Sequence, residues 1–252
     1  MHFFQIDNSC FARRIMLYYE LLLFYCLLEA DTDMKVEMHT HTSETSPCAH
    51  ICAQDVIKMY KEAGYDTVVI TDHWVFEKNG AKTPDEVTSH FLKGYKTALG
   101  CAETYDINVL LGCEVTLTES PNDYLLYGVN EEFFHKHPFL YNLSLEELSE
   151  ICHNENILIV QAHPNRAYCE PVNPALLDGA EVFNGNPRHD SNNDKTYAWA
   201  YEHDLIMTSG SDFHEKEDLA LGGIITEYDI KTENDLIQTL LSGDYSLITP
   251  DE

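Results

Sequence analysis

From residue 35 onward, short runs rich in β-branched and other apolar residues alternate with longer stretches of helical spacing. No other feature constrains the fold as much, because a strand–helix–strand succession builds a parallel sheet or barrel. Residues 35–42 open the series as an extended run. Residues 52–64 have helical spacing, with Val56, Ile57, Met59 and Tyr60 apolar and Gly64 as the stop. Residues 67–72, Thr-Val-Val-Ile-Thr-Asp, read as a buried strand. A long helix is predicted over 84–105, opened by Thr83-Pro84 with acids in its first turn. Strands follow at 107–118 and 124–129, then a helix at 144–154 with a Ser144-x-x-Glu147 start. Further strands fall at 157–160, 180–183, 205–209, 223–226 and 245–248, with helices near 193–203 and 232–241. About seven such units fit a small α/β barrel better than an open doubly wound sheet. No G-x-G-x-x-G or P-loop follows any strand, which argues against a nucleotide-cofactor domain.

Residues 1–33 stand outside this alternation. The stretch 15–28 is apolar apart from Glu20 and follows Arg13-Arg14, a superficial likeness to a signal peptide. It falls short of the roughly 20 residues that span a bilayer, and Leu28-Glu29-Ala30 is a poor cleavage site. Met34-Lys35-Val36-Glu37-Met38-His39 instead looks like a natural start running into a strand. We expect residues 1–33 to be an upstream extension or an added helix, and 34–252 to be one folded barrel. A chain begun at Met34 should then keep its fold and activity.

Charge narrows the partners. The sequence has 43 Asp plus Glu against 15 Lys plus Arg, a formal charge of −28. So negative a surface repels phosphate backbones and anionic lipids, which excludes a general binder of long nucleic-acid tracts or of membranes. With 13 His in the same chain, bound cations are one answer to the excess of carboxylates. The cysteines (Cys10, Cys26, Cys48, Cys52, Cys101, Cys113, Cys152 and Cys169) are scattered without a Cys-x-x-Cys pair. Cys48 and Cys52 lack the second pair that would complete a zinc knuckle. All read as reduced thiols of a cytoplasmic protein.

The chemistry collects at the strand ends. The first strand ends in His39-Thr40-His41, the second in Asp72-His73, and the third carries Gly112-Cys113-Glu114. The fifth ends in Ala162-His163-Pro164, the sixth in Phe183-Asn184-Gly185 and the seventh in Ser211-Asp212-Phe213-His214. In an α/β barrel these tips form the face where active sites lie. Histidines and acids gathered there, with no serine-nucleophile motif, point to a metal site. Alternate residues of a strand share a side, so His39 and His41 can chelate one ion, as can Asp212 and His214. A carboxylate such as Glu114 can bridge two ions held ~3.5–4 Å apart. Each piece alone has an ordinary structural explanation; their conjunction at strand ends carries the weight.

This pattern resembles the PHP family, the polymerase and histidinol phosphatase-type metallophosphoesterases. The matching pieces, in order, are His39-Thr40-His41-Thr42, Thr71-Asp72-His73, Gly112-Cys113-Glu114, Ala162-His163-Pro164 and Ser211-Asp212-Phe213-His214. The resemblance implies a distorted (βα)7 TIM-like barrel, two or three divalent ions (zinc, manganese or iron) and phosphoester hydrolysis. It places His39, His41, Glu114 and Asp212 on a first ion, Glu114 and His163 on a second, and His73 and His214 on a third. Asp72 would steady a ligand from behind. Family members often carry an Asp or His soon after the first His-x-His; here Glu44 or His50 is available. They also often have a histidine on the fourth strand, where this chain has Asn122-Asp123-Tyr124, leaving Asp123 or water.

Substrate-side groups follow from scarcity. With only 15 cations in the chain, Arg166 and Arg188 stand out on the loops after the fifth and sixth strands. Arginine suits bidentate phosphate contacts, and a salt bridge to an acid is the competing use. Asn184 would hydrogen-bond a water at the metal or shape the turn at Gly185, and His189 or His214 would protonate the leaving oxygen. Asp212 and the two arginines complete the expected catalytic set. The expected activity is metal-dependent hydrolysis of a small phosphate ester or a short nucleic-acid end. A non-catalytic metal-binding module and a metal-dependent amidohydrolase are the alternatives.

Overall fold

The computed structural model describes residues 33–74 and 83–250. The expectation for residues 1–33 therefore lies, Asp33 apart, outside the described residues. The apolar runs are strands: β1 (Met34–Thr40), β2 (Thr67–Ile70), β3 (Asn108–Thr116), β4 (Asp123–Tyr127), β5 (Leu158–Gln161), β6 (Gly179–Asn184), β7 (Ile206–Gly210), β8 (Ile224–Thr226) and β9 (Ser246–Leu247). Their order in one sheet is β7-β6-β5-β4-β3-β2-β1-β8-β9. Helices α1 (Ala53–Glu62), α2 (Pro84–Tyr105), α3 (Glu131–Lys136), α4 (Leu145–Asn154), α5 (Asn193–Glu202) and α6 (Glu233–Ser242) connect them.

The helix starts follow local chemistry. Thr83 Oγ1 accepts from the Glu86 amide at 3.3 Å while Glu86 accepts from the Thr83 amide at 3.0 Å, with Pro84 in the first turn. Ser144 with Glu147 opens α4, and Thr232 with Asp235 opens α6, by the same reciprocal bonds. Helix α3 was not among the expected elements. Its six residues are too short for a periodic signal, though Asn130 caps it by accepting from Phe133 N at 2.9 Å.

The strands curl into a nearly closed, distorted barrel. β1, β2 and β3 pair in parallel, as do β5, β6 and β7. β4 corrects the expected run of parallel units, because it is antiparallel to both β3 and β5. The connection from β3 to β4 contains no helix. A parallel neighbour needs a crossover of about a dozen residues, so so short a link yields a hairpin. β8 and β9 add antiparallel strands beside β1. Beyond β7 the chain returns to β1: His41 N donates to Phe213 O at 3.0 Å and Phe213 N to His39 O at 3.1 Å. These bonds draw the Ser211–Asp212–Phe213–His214 segment against the end of β1.

Val36, Met38, Val69, Leu110, Leu125, Tyr127, Val160 and Ile224, from six strands, share one buried cluster with Leu236 and Leu240 of α6. Ile230, just before α6, accepts from Thr67 Oγ1 at 2.8 Å and from Asn108 Nδ2 at 3.2 Å, the first residues of β2 and β3. Helix α6 thus closes the end of the barrel where parallel strands begin. The opposite end is left for polar groups.

Candidate metal centre

His39, Glu114 and Asp212 are buried to the last few per cent, which no ionisable group tolerates without compensating partners. The fold supplies those partners by strand register. A parallel bridge sets His73 opposite Glu114, with Trp74 N donating to Glu114 O at 2.8 Å and Glu114 N to Asp72 O at 3.1 Å. The contacts drawn above bring Asp212 and His214 to His39 and His41. His163 arrives at the end of β5 with φ of 31°, a left-handed backbone that turns the chain sharply after Gln161-Ala162.

Glu114 lies at the middle. One oxygen is 3.3 Å from His39 Nε2 and 3.3 Å from His163 Nε2; the other is 3.3 Å from His41 Nε2 and 3.0 Å from His73 Nδ1. His39 Nε2 and His41 Nε2 are 3.1 Å apart, and Asp212 Oδ1 is 3.5 Å from each. Three sets of potential ligands result: His39, His41 and Asp212; Glu114, Asp123 and His163; and His41, His73 and His214.

Surrounding groups decide which ring nitrogens face inward. His39 Nδ1 donates to Glu181 Oε1 at 2.8 Å, and Glu181 also accepts from Asn184 Nδ2 at 2.8 Å and His163 N at 3.1 Å. His41 Nδ1 is 3.2 Å from Ser46 Oγ, which donates to Asp72 Oδ1 at 2.6 Å. Asp72 also accepts from Thr42 N and Thr42 Oγ1, at 2.7 and 2.6 Å. His214 Nδ1 donates to the Asp212 carbonyl at 2.9 Å. In each case the proton is held on Nδ1 and the Nε2 lone pair is presented to the centre.

This convergence of lone pairs is the test of whether ions fit. Both carboxylate oxygens of Glu114 are buried without a hydrogen bond, and two ring lone pairs at 3.1 Å repel unless a cation or proton lies between them. Donors about 2.0–2.1 Å from a tetrahedral ion are separated by roughly 3.3 Å, close to the spacings here. Without ions, protons take that role. Burial opposes charge on His39, yet the Glu181, Glu114 and Asp212 carboxylates raise it well above the ordinary imidazole value. Burial likewise opposes charge on Glu114, but His39 and His73 hold it well below the usual carboxylate range. His163, disfavoured by burial but supported by Cys169 and Glu114, is raised to about 10. His214 goes the other way, lowered to about 3 by burial and by His41.

Residues 37–241 match the PHP domain family, more than half of the chain. The chain belongs to the PHP family. Several solved structures share its fold. A two-domain protein from Bacteroides vulgatus containing a predicted PHP-like metal-dependent phosphoesterase is 12% identical, with a TM-score of 0.64 over 87% of this chain and 66% of that one. PsfC from Pseudomonas syringae is 14% identical, with a TM-score of 0.62 over 86% and 92%. The lesion-specific endonuclease PfuEndoQ from Pyrococcus furiosus is 16% identical, with a TM-score of 0.62 over 85% and 57%. The chain thus spans slightly under two thirds of the first of these and little more than half of the last. No curated protein sequence matches it.

Within this PHP barrel, His39, His41, His73, Glu114, His163, Asp212 and His214 come together as described. Glu44 does not join them: its carboxylate accepts from Ala53 N at 2.9 and 3.1 Å, capping the start of α1. His50 and Cys48 line the cavity beside the cluster, and neither belongs to the three ligand sets. Asp123 reaches the place that lacks a histidine, with Oδ2 3.8 Å from His163 Nε2 and Oδ1 accepting from Thr116 Oγ1. Arg166 enters the cavity and donates to Asp212 Oδ2 and Asn184 Oδ1, both at 2.7 Å. Arg188 also lines it, but its guanidinium is held by Asp218, with Nη1–Oδ1 at 2.5 and Nη2–Oδ2 at 2.8 Å, and by Glu215 at 2.6 Å. Asn184 accepts from Asn186 N at 3.1 Å in the turn after β6. His189 lines the same cavity, and burial together with Arg166 lowers its pKa. His214 joins the cluster with its Nδ1 hydrogen-bonded to the Asp212 carbonyl.

Two groups escaped the sequence reading. Glu181, buried in mid-strand, aligns His39; a lone glutamate inside the apolar run Ala180–Phe183 was the available signal. Cys48 lines the cavity and lies 3.1 Å from His214 Nε2.

Proposed function

We propose that this protein is a metal-dependent phosphoesterase that hydrolyses a small phosphate ester or the end of a short nucleic acid. The observation that carries the reading is the Glu114 carboxylate, buried without a hydrogen bond and surrounded by nitrogens of His39, His41, His73 and His163 at 3.0–3.3 Å. Such a group needs cations beside it. His39, His41, Glu114 and Asp212 would hold one ion, Glu114, Asp123 and His163 a second, and His73 and His214 a third. Bound there, divalent ions supply the Lewis acidity that ionises a water near neutral pH and offsets charge on a phosphoryl group.

The remaining residues position the substrate. Arg166 sits between Asp212 and the cavity, placed to contact a phosphoryl oxygen and the charge that grows on it. Arg188, tied to Asp218 and Glu215, anchors the loop at the mouth instead of reaching the substrate. His189, kept mostly neutral by burial and Arg166, is a hydrogen-bond acceptor at neutral pH. The cavity of about 220 Å³ is smaller than the roughly 300–1,000 Å³ that encloses a drug-sized ligand. It suits a phosphoryl group with the rest of the substrate outside. A chain of charge −28 repels long polyanions, which favours a small ester or a terminus.

The test is a panel of phosphomonoesters, cyclic nucleotides and short oligonucleotides, assayed with Mn²⁺, with Zn²⁺ and with chelator. Metal-dependent release of phosphate or nucleotide from at least one class is expected. Turnover that survives complete metal removal, or hydrolysis of none of them by fully metal-loaded protein, overturns the reading.

A further inference from the structure

We propose that Cys48 is a sulfur ligand to the ion of His73 and His214, which makes that position selective for thiophilic metals; the assignment rests on the metal-centre reading above. Three observations converge on it. First, Cys48 Sγ is 3.1 Å from His214 Nε2. The other ring nitrogen of His214 donates to the Asp212 carbonyl, so the nitrogen facing the sulfur carries the lone pair. Second, the loop that presents Cys48 is pinned on both sides. Ser46 N donates to Thr42 O at 2.9 Å and Ala49 N to Ser46 O at 3.0 Å. His50 N donates to His214 O at 2.9 Å, so the loop two residues beyond Cys48 is fastened to the backbone of His214. Third, His73, whose Nδ1 is 3.0 Å from the buried Glu114 carboxylate, has Cys48 as a side-chain partner on the same side of the centre.

Among the described residues the other cysteines do not compete. Cys113 and Cys152 are buried in the apolar core. Cys169 faces His163 Nδ1 at 4.0 Å, on the back of a ring whose Nε2 points to Glu114. Among the described residues Cys48 is the only cysteine lining the cavity. Glu44, the carboxylate nearest in sequence to the same loop, is occupied at the start of α1.

The chemistry has a consequence for metal choice. Coordination exchanges the thiol proton for a metal–sulfur bond, with the proton released to solvent. A thiolate favours Zn²⁺, Cd²⁺ or Co²⁺ over Mn²⁺ or Mg²⁺, whereas the carboxylate-rich position at Asp123 and His163 accepts hard ions. The centre would then hold two kinds of ion.

The experiment is titration of the full-length apo protein with Cd²⁺ and Co²⁺, following sulfur-to-metal charge-transfer absorption, for the wild type and for Cys48→Ser, Cys48→His, Cys169→Ser and His50→Ala. The wild type and C169S are expected to show the band. C48S should lose it and bind its last Zn²⁺ equivalent more than about 100-fold more weakly, beyond the loss typical of a mere supporting partner, with Mn²⁺ affinity unchanged. C48H should recover Zn²⁺ affinity without the band. A band that survives in C48S, no band in metal-saturated wild type, or loss of the last equivalent in H50A but not in C48S would overturn the assignment. None of these readouts depends on turnover, so a protein inactive on every phosphoester could still confirm or refute it.

Discussion

Glu181 Oε1 accepts a hydrogen bond from His39 Nδ1 at 2.8 Å, with both side chains buried. This contact decides which nitrogen of His39 bears the proton and aims Nε2 at Glu114 and Asp212. The second oxygen of Glu181 accepts from Asn184 Nδ2 and from His163 N, so both oxygens face donors. Glu181→Gln sets an amide NH₂ against one of those donors whichever way it is turned. Metal affinity should fall by about 10–100-fold, read by competition with a chromophoric chelator. Unchanged affinity would show that His39 is oriented by the strand alone.

The two arginines should separate. Arg166 contacts Asp212 and Asn184 inside the cavity, whereas Arg188 is bound by Asp218 and Glu215. Arg166→Met is expected to lower kcat/KM by on the order of 10²–10³, the cost of losing a transition-state donor, while retaining bound metal. Arg188→Met should act mainly on stability, because Asp218 also accepts from His214 N and Glu215 N, both in the loop it anchors. Steady-state kinetics with thermal melts on both variants checks the division; equal kinetic losses would contradict it.

Glu37 lies fully buried beside His39, accepting from Met38 N, His39 N and Ser211 N at 2.9–3.0 Å. Burial outweighs those bonds and raises its pKa to about 7 from 4.5. A carboxyl whose folded pKa is raised favours folding while protonated, so the apo protein should lose stability as pH climbs from about 4.5 to about 7. At about 1.4 kcal/mol per pH unit, the span is about 3 kcal/mol. Glu37→Gln mimics the protonated carboxyl and should flatten that part of the profile, measured by urea unfolding in chelator. A mutant profile as steep as the wild type would rule out Glu37 as its source.

Gly94 lets α2 pass directly over the support of His41. A Cβ there would come within 2.0 Å of Thr42 Oγ1 and 2.2 Å of Asp72 Oδ2. Gly94→Ala must therefore push apart the bond by which Asp72 orders Thr42 and, through Ser46, His41. Overpacking of this kind costs about 1–3 kcal/mol. A lower melting temperature with weakened metal binding is expected; a gain in stability from the better helix former would show that the helix can shift aside.

Much of the centre was legible because strand periodicity and strand ends are written in the sequence. His39 with His41, and Asp212 with His214, lie two apart and so share a side, and each apolar run ends where its ligand begins. What stayed hidden depends on contacts between distant segments. Glu181 looks like any polar residue in a strand until β6 packs beside β1. Cys48 is four residues from Cys52, a spacing judged against zinc knuckles, and only the return of the chain after β7 brings His214 to it. Glu44 read as a ligand because sequence cannot distinguish an acid near a metal from one capping the next helix. The reversal of β4 was implicit in the short link before it, which the alternation of strands and helices obscured.

The central claim is that His39, His41, Glu114 and Asp212 gather divalent ions at the barrel mouth. Elemental analysis of the purified chain, repeated after reconstitution, tests it most directly. Two to three equivalents per chain are expected in the wild type, and at least one fewer in Asp212→Ala and His41→Ala with the circular dichroism spectrum preserved. Equal metal content in the wild type and in both variants, or none in a reconstituted wild type, would contradict it.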